Sequence, residues 1–420
     1  MHNKSKVILL SSLLGCCIII FLTACRKENA KTYTYTLYKP VYISKSKALA
    51  SINGSPDEPI GTTGKIYIKD KYIFLNDVDK GIHVIDNSNP SRPVQIAFLS
   101  IPGNLDISVK GNILYADMYS DLLAIDISNP KKVTVASVLP SLFKNRYFNY
   151  STIDSTEFVA YWIKKDTVIH EGDAYPGYID CINCSYFYAS SAQANASRGP
   201  KNGAAGSLAK MVMMNDYLYA ITDQGSVGIV SIANAAKPQF VAGMAAGFDL
   251  QTIYPFENKL FLGSGSGMFM YDLSDPLNPV TLGQFSHLRS CDPVVTDGDY
   301  AYVTLQGGGR CGGANNELDV INIKNLMQPQ QIKSYMMKAP TGLCKDGDLL
   351  FVCDGTAGVK LFNASNPAEL RLLKIIESDS PYDIIAQNKI ALIVAKDGLY
   401  QYDYKNPSKV QLLSIFSIKR

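Results

Sequence analysis

The chain has 420 residues but a single tryptophan and four histidines, and its charges gather into no long run of either sign. Forty Lys plus Arg against thirty-seven Asp plus Glu leave a formal charge of +3. The basic stripe that neutralises phosphates is missing, so no nucleic-acid partner is expected. Histidine scarcity restricts acid–base chemistry. Beyond the N-terminal segment only His83, His170 and His287 remain; His83 falls in a strand-like run and His170 in a stretch unlike the rest, so a converging catalytic set is hard to assemble.

The apolar run at residues 7–21 follows Lys4 and Lys6 and is shorter than the roughly 20 residues a membrane span requires. It ends in Leu22-Thr23-Ala24-Cys25, small residues before a cysteine, which fits a lipoprotein signal. Residues 1–24 are therefore expected to be a signal peptide and Cys25 the lipidated first residue. Its acyl chains would hold the rest at the membrane surface of a bacterial cell envelope, with the outer membrane as the expected address and the side left open. Residues 25–63 read as a tether, within which YTYTLYKPVYIS alternates enough to be an edge strand added to a last blade or laid along the surface.

What the chain has in quantity is one phrase. GIHVIDNSNP ends at Pro90, LLAIDISNP at Pro130, MFMYDLSDP at Pro276, VKLFNASNP at Pro367 and LYQYDYKNP at Pro407. A period near 40 residues with several short apolar runs is the size of one four-stranded propeller blade. The β-branched and aromatic run makes a strand, and the proline ends it because it cannot donate to a ladder. Asp86, Asp126, Asp272 and Asp403 are expected to form Asx turns at that corner rather than to do chemistry. Upstream, Lys69-Asp70-Lys71, Lys110-Gly111-Asn112, Asn215-Asp216, Asp297-Gly298-Asp299, Asp346-Gly347-Asp348 and Asn388-Lys389 each separate two apolar runs and read as hairpin turns. The expected fold is all-β: a seven-bladed β-propeller of four-stranded antiparallel blades over residues 64–420, with a loop-rich insertion at 141–205 between blades two and three. Blades are placed at 64–103, 104–140, 206–250, 251–290, 291–340, 341–379 and 380–420, the third and fifth with degenerate phrases.

These phrases and hairpins resemble the LVIVD-repeat proteins, above all in GKIYIKDKYIFLNDVDKGIHVIDNSNP and CDPVVTDGDYAYVTL. The resemblance implies a propeller, in many members of an envelope lipoprotein, and carries no catalytic residues. A WD40 assignment needs recurring Trp-Asp dipeptides, whereas Trp162 stands alone inside the insertion.

Of nine cysteines, six lie beyond Cys25. A hairpin centred on Asp297-Gly298 sets Cys291 opposite about Thr304, near the loop that holds Cys311, and supports a Cys291–Cys311 bridge. Cys344 and Cys353 fall several rungs apart and should not bond. Cys181-Ile182-Asn183-Cys184 suits a local loop disulfide; zinc would need a second ligand pair, and the nearest candidate is His170. No cofactor is expected. Calcium at a ring of loop carboxylates, Asp77, Asp117, Asp223, Asp354 and Asp397, is the metal alternative, although aspartates also populate such turns for their own hydrogen bonding.

Strand alternation puts the insertion and the long loop 306–317 of blade five on the same face. Loops on a rigid scaffold carry binding residues, so Tyr161, Trp162, Tyr186 and Tyr188 of the insertion and Arg310 and Asn315 of the loop are the binding-face candidates. The insertion reads equally well as a structural cap. Two functions follow: a non-enzymatic, lipid-anchored module that binds an envelope protein or glycan, or an envelope hydrolase, lactonase-like, built round an axial metal.

Overall fold

The computed structural model describes residues 32–55, 58–143, 157–170, 204–286, 293–307 and 315–417. The chain divides into two compact units. In the smaller, strand Thr32–Ser44 pairs with strand Glu157–His170. The first strand therefore joins the insertion, and not the last blade as its alternation suggested. A long partner with its own β-branched and aromatic run satisfies the edge that a lone strand would leave open.

The larger unit contains seven antiparallel sheets built on four consecutive strands each, the first joined by a fifth strand from elsewhere in the chain. Blade one runs Thr63–Lys69, Tyr72–Asp77, Gly81–Asp86 and Val94–Ser100 from the innermost strand to the outermost. The others span 107–139, 211–245, 250–286, 294–336, 343–376 and 381–417. The tight turns between first and second strands are those expected, and a left-handed residue recurs in them: Asp70, Gly111, Asn215, Gly298, Gly347 and Asn388 all have φ between 52° and 100°. In blade five the turn falls on Gly298-Asp299, one residue later than expected. Val294 pairs with Val303, so Thr304 lies opposite Pro293 and not Cys291. Cys344 and Cys353 are free and buried.

The repeated phrase ends as its chemistry requires. Asp86 Oδ1 accepts from Ser88 N at 2.9 Å, Asp126 from Ser128 N at 2.8 Å, Asp272 from Ser274 N at 2.9 Å and Asp403 from Lys405 N at 2.8 Å. Asn363 and Asn322 do the same work in blades six and five, which explains why the aspartate is replaceable. A second Asx turn follows at once from Asn89, Asn129, Asp275, Asn366 and Asn406. The Ser88 hydroxyl and amide hold Asp86 below the usual carboxylate range.

Buried tyrosines tie blade to blade. Tyr67 OH donates to Val109 O at 3.2 Å, Tyr115 to Ala235 O at 2.8 Å, Tyr219 to Pro276 O at 3.2 Å and Tyr254 to Thr296 O at 3.3 Å, each reaching the next blade. Burial pushes the Tyr67 phenol up to about 12. The ring closes without strand exchange. Between blades seven and one, Asn87 and Gln401 exchange amide hydrogen bonds at 2.9 and 2.7 Å, Tyr382 OH donates to Thr63 O at 2.7 Å and Ser414 Oγ to Pro90 O at 2.6 Å. Ile66, Ile73 and Ile85 pack there against Ile385, Leu392 and Val394.

Two regularities had no expectation behind them. Every blade has a bulge between its third and fourth strands, from Val84/Ile85 in blade one to Gln401/Tyr402 in blade seven, which adds twist at the rim. A glycine opens or immediately precedes the third strand in four blades because the outer strand's carbonyl occupies the place of a Cβ: Leu99 O would lie 1.9 Å from a Cβ on Gly81, Phe285 O 2.3 Å from one on Gly267, Ile376 O 2.6 Å from one on Gly358 and Phe416 O 2.7 Å from one on Gly398. Gly81→Ala is expected to lower stability by about 1–3 kcal/mol, the range for overpacking. A shifted urea midpoint at constant slope would show it, and an unchanged midpoint would mean the blade yields there.

Candidate functional site

One register position recurs in or just before every inner strand, five residues ahead of the second residue of its turn: Lys65, Asp106, Lys210, Thr252, Pro293, Gly342 and Asp383 in blades one to seven. Lys65 and Asp106 are buried and paired, Nζ to Oδ2 at 2.9 Å. Asp106 also accepts from Lys210 N at 2.6 Å and from Ile107 N at 2.7 Å. Asp383 is fully buried; one oxygen accepts from Ile384 N at 2.9 Å and Oδ2 has no hydrogen-bond partner. Burial pushes its carboxyl well above the ordinary range, Lys65 opposes this and Asp106 reinforces it. Burial likewise pulls Lys65 down against the pull of Asp106.

The axis itself is crossed by protein. Residues Ala204–Ala205 add a fifth strand to blade one, pairing with Ile68 and Tyr67. Ser207 Oγ then accepts from Leu343 N of blade six at 3.4 Å, Ala209 O accepts from Ile253 N of blade four at 2.8 Å, and Lys210 N reaches Asp106 of blade two. Blades one, four and six are not neighbours, so a segment that bonds to all three passes through the centre. Ser207, Leu208 and Ala209 are buried. Neither this strap nor the polar ring was anticipated. Its sequence, GAAGSLAK, has the composition of a linker, and its partners, far away in the chain, are main-chain atoms but for the Asp106 carboxylate.

The loop carboxylates proposed for calcium are taken up separately. Asp77 accepts from Gly61 N at 2.8 Å and Thr62 N at 3.0 Å, Asp117 from Leu105 N and Asp106 N, both at 2.9 Å, and Asp354 from Lys338 N at 2.7 Å and Ala339 N at 2.9 Å. In each blade the carboxylate pins the incoming connection to the loop after the second strand, so one face holds both. Asp223 caps its own turn through Gly225 N at 2.9 Å, and Asp397 accepts from Tyr400 OH at 2.6 Å. Among the described residues no group of three or more His, Cys, Asp or Glu is arranged to hold a metal. His83 is buried, its Nε2 3.4 Å from Asp77 Oδ2 and its ring 4.6 Å from that of Phe98, the setting of a core histidine.

On the loop-rich face the insertion leaves from a fixed root. Ser141 N donates to Asp121 Oδ1 and Phe143 N to Ser120 O, both at 2.9 Å, while Leu142 and Phe143 are buried against blades two and three. The same Asp121 pairs with Lys45. In blade five Gly307 N donates to Asn316 Oδ1 at 3.0 Å, and Asn315 is exposed. Tyr161 and Trp162 lie in the strand Glu157–His170. Tyr186, Tyr188, Arg310, Cys25, Cys181, Cys184, Cys291 and Cys311 fall outside the described residues.

The hub makes a linkage prediction. Folded Asp383 keeps a proton that the unfolded chain releases above about pH 4, so its contribution to stability falls as pH rises toward its elevated folded value. Asp383→Asn removes that slope: urea unfolding between about pH 5 and about pH 8 should show the variant gaining on the parent as pH rises. Parallel profiles would mean that Asp383 ionises as freely folded as unfolded.

The LVIVD repeat family matches residues 60–97 and 104–137, the first two blades. No curated protein matches the sequence. A protein from Lactobacillus plantarum is similar in structure with a TM-score of 0.54 at 10% identity, over 85% of this chain and 96% of its own. The computationally designed Ika8 protein gives 0.51 at 10% identity over 87% and 89%. BamB from Moraxella catarrhalis gives 0.49 at 9% identity over 88% and 98%. Identities this low speak for a common fold alone. The chain therefore carries LVIVD repeats in its first two blades and, with the corner turns that recur round the ring, folds as a seven-bladed β-propeller.

Proposed function

We propose that the protein is a lipid-anchored module of the bacterial cell envelope that binds a protein or glycan through its loop-rich face and performs no chemistry of its own. The observation that carries this reading is the strap across the axis. A propeller enzyme with an axial metal needs room at the centre, and here main chain and the Lys65–Asp106 pair fill it. Binding then falls to the faces. The loop-rich face has the insertion, rooted at one end by Phe143 and at the other by the strap, and the blade-five loop beside exposed Asn315. Tyrosine and serine, abundant in the insertion, give large amphipathic contacts at low entropic cost.

Anchoring rests on Cys25 and its signal context, and no described helix is long and apolar enough to cross a membrane. Cys25→Ser should move the protein from the detergent phase to the aqueous phase on detergent partitioning, and a variant that stays with detergent would refute the lipid anchor. For the binding face, residues 144–203 are replaced by a flexible linker, leaving both roots. Pull-down from native envelope should recover a partner with the intact chain and lose it with the deleted one. Equal recovery would reduce the insertion to a cap.

A further inference from the structure

The segment that crosses the axis is held as a ligand is held. It is extended at Ala204–Ala205, and on its way from blade two to blade three its groups are met by blades it does not connect: the inner strand of blade one by β-pairing, blade six through Ser207 Oγ and blade four through Ala209 O, with Lys210 N on Asp106 of blade two at its end. Leu208 apart, residues 204–209 are small: Ala-Ala-Gly-Ser-Leu-Ala.

The surroundings are not those of an inert core. Lys65, Asp106 and Asp383 bring three ionisable groups into the dry centre, and the Oδ2 of Asp383 is left unpaired. A buried ion pair is seldom more stable than well-packed apolar residues of the same volume, so hub packing alone gives no reason for it. A carboxylate aimed at a main-chain N–H is, by contrast, the means by which a site recognises a peptide.

We propose that the hub is an axial peptide site, selective for an extended run of small residues, and that residues 204–210 are its self-ligand: a strap that closes the ring from the centre in place of strand exchange between first and last blades. Seating the strap satisfies strand edges that face the axis and shields Lys65 from solvent.

The test removes the strap and offers it back. Residues 144–209 are replaced by a flexible linker, and a fluorescent peptide with the sequence of residues 203–210 is titrated against this variant and against the intact chain. Saturable binding to the variant, a rise in its melting temperature and no binding to the intact chain are expected. A variant that folds only with the peptide present supports the proposal equally. A folded variant that ignores the peptide, or an intact chain that binds it as well, overturns it. Lys210→Pro gives an independent reading in the full-length chain, because it removes the N–H on Asp106. Amine-reactive labelling of Lys65, followed by mass spectrometry, should speed up about tenfold, the scale of one lost hydrogen bond to a charged acceptor. Protection of Lys65 equal to that of the parent would overturn the strap's role at the hub.

Discussion

Seven inner strands converge on one axis, and each turns an edge of N–H and C=O groups toward it. Those groups must meet water or protein, because an unpaired buried amide costs as much as a lost hydrogen bond. Here part of the solution is a segment of main chain. Residues 204–210 supply a strand to blade one and acceptors to blades four and six. Blade to blade, apolar clusters do the joining, supplemented by tyrosines that reach the next blade's carbonyls and by the amide pair Asn87–Gln401 where the ring meets itself.

The polar ring shows how one backbone position is put to different uses. The same register that gives Lys65 to blade one gives Asp106 to blade two and Asp383 to blade seven. Lys65 satisfies Asp106 at 2.9 Å but makes no hydrogen bond to Asp383 Oδ2, so one carboxylate is paired and the other is held toward its neutral form. With the Lys65 ammonium hydrogen-bonded to Asp106, burial of Asp383 outweighs the attraction of Lys65 for it.

Architecture was legible because its signals are local. A strand, a left-handed turn residue and an Asx corner are each written within ten residues, and repetition multiplies them; hence the blades fell within a few residues of their observed bounds, and Asp86 and Asp126 acted as turn formers. The register slip in blade five came from a choice local rules leave open: either Asp297-Gly298 or Gly298-Asp299 makes a tight turn, and the hydrogen bond from Asp297 N to Tyr300 O selects the second. The strap was illegible for the opposite reason. Its partners lie from about 40 to more than 130 residues away in sequence and are chiefly backbone atoms, which leave no side-chain pattern. Asp77, Asp117 and Asp354 fall between. Their position beside the loops was visible, but the N–H groups they accept from belong to the preceding connection, which sequence alone does not bring near.

That last contact also bears on where function can lie. A carboxylate that pins the connection entering a blade to a loop within it makes the loop-rich face stiff at the level of the scaffold, and so leaves length as the variable by which the face is elaborated. The chain lengthens it at two places, between blades two and three and within blade five. The first of these is bounded by Phe143 in an apolar cluster and by a strap through the hub. A cap would need only the first root. The second, running to the axis, ties the chain entering blade three to blades one, four and six.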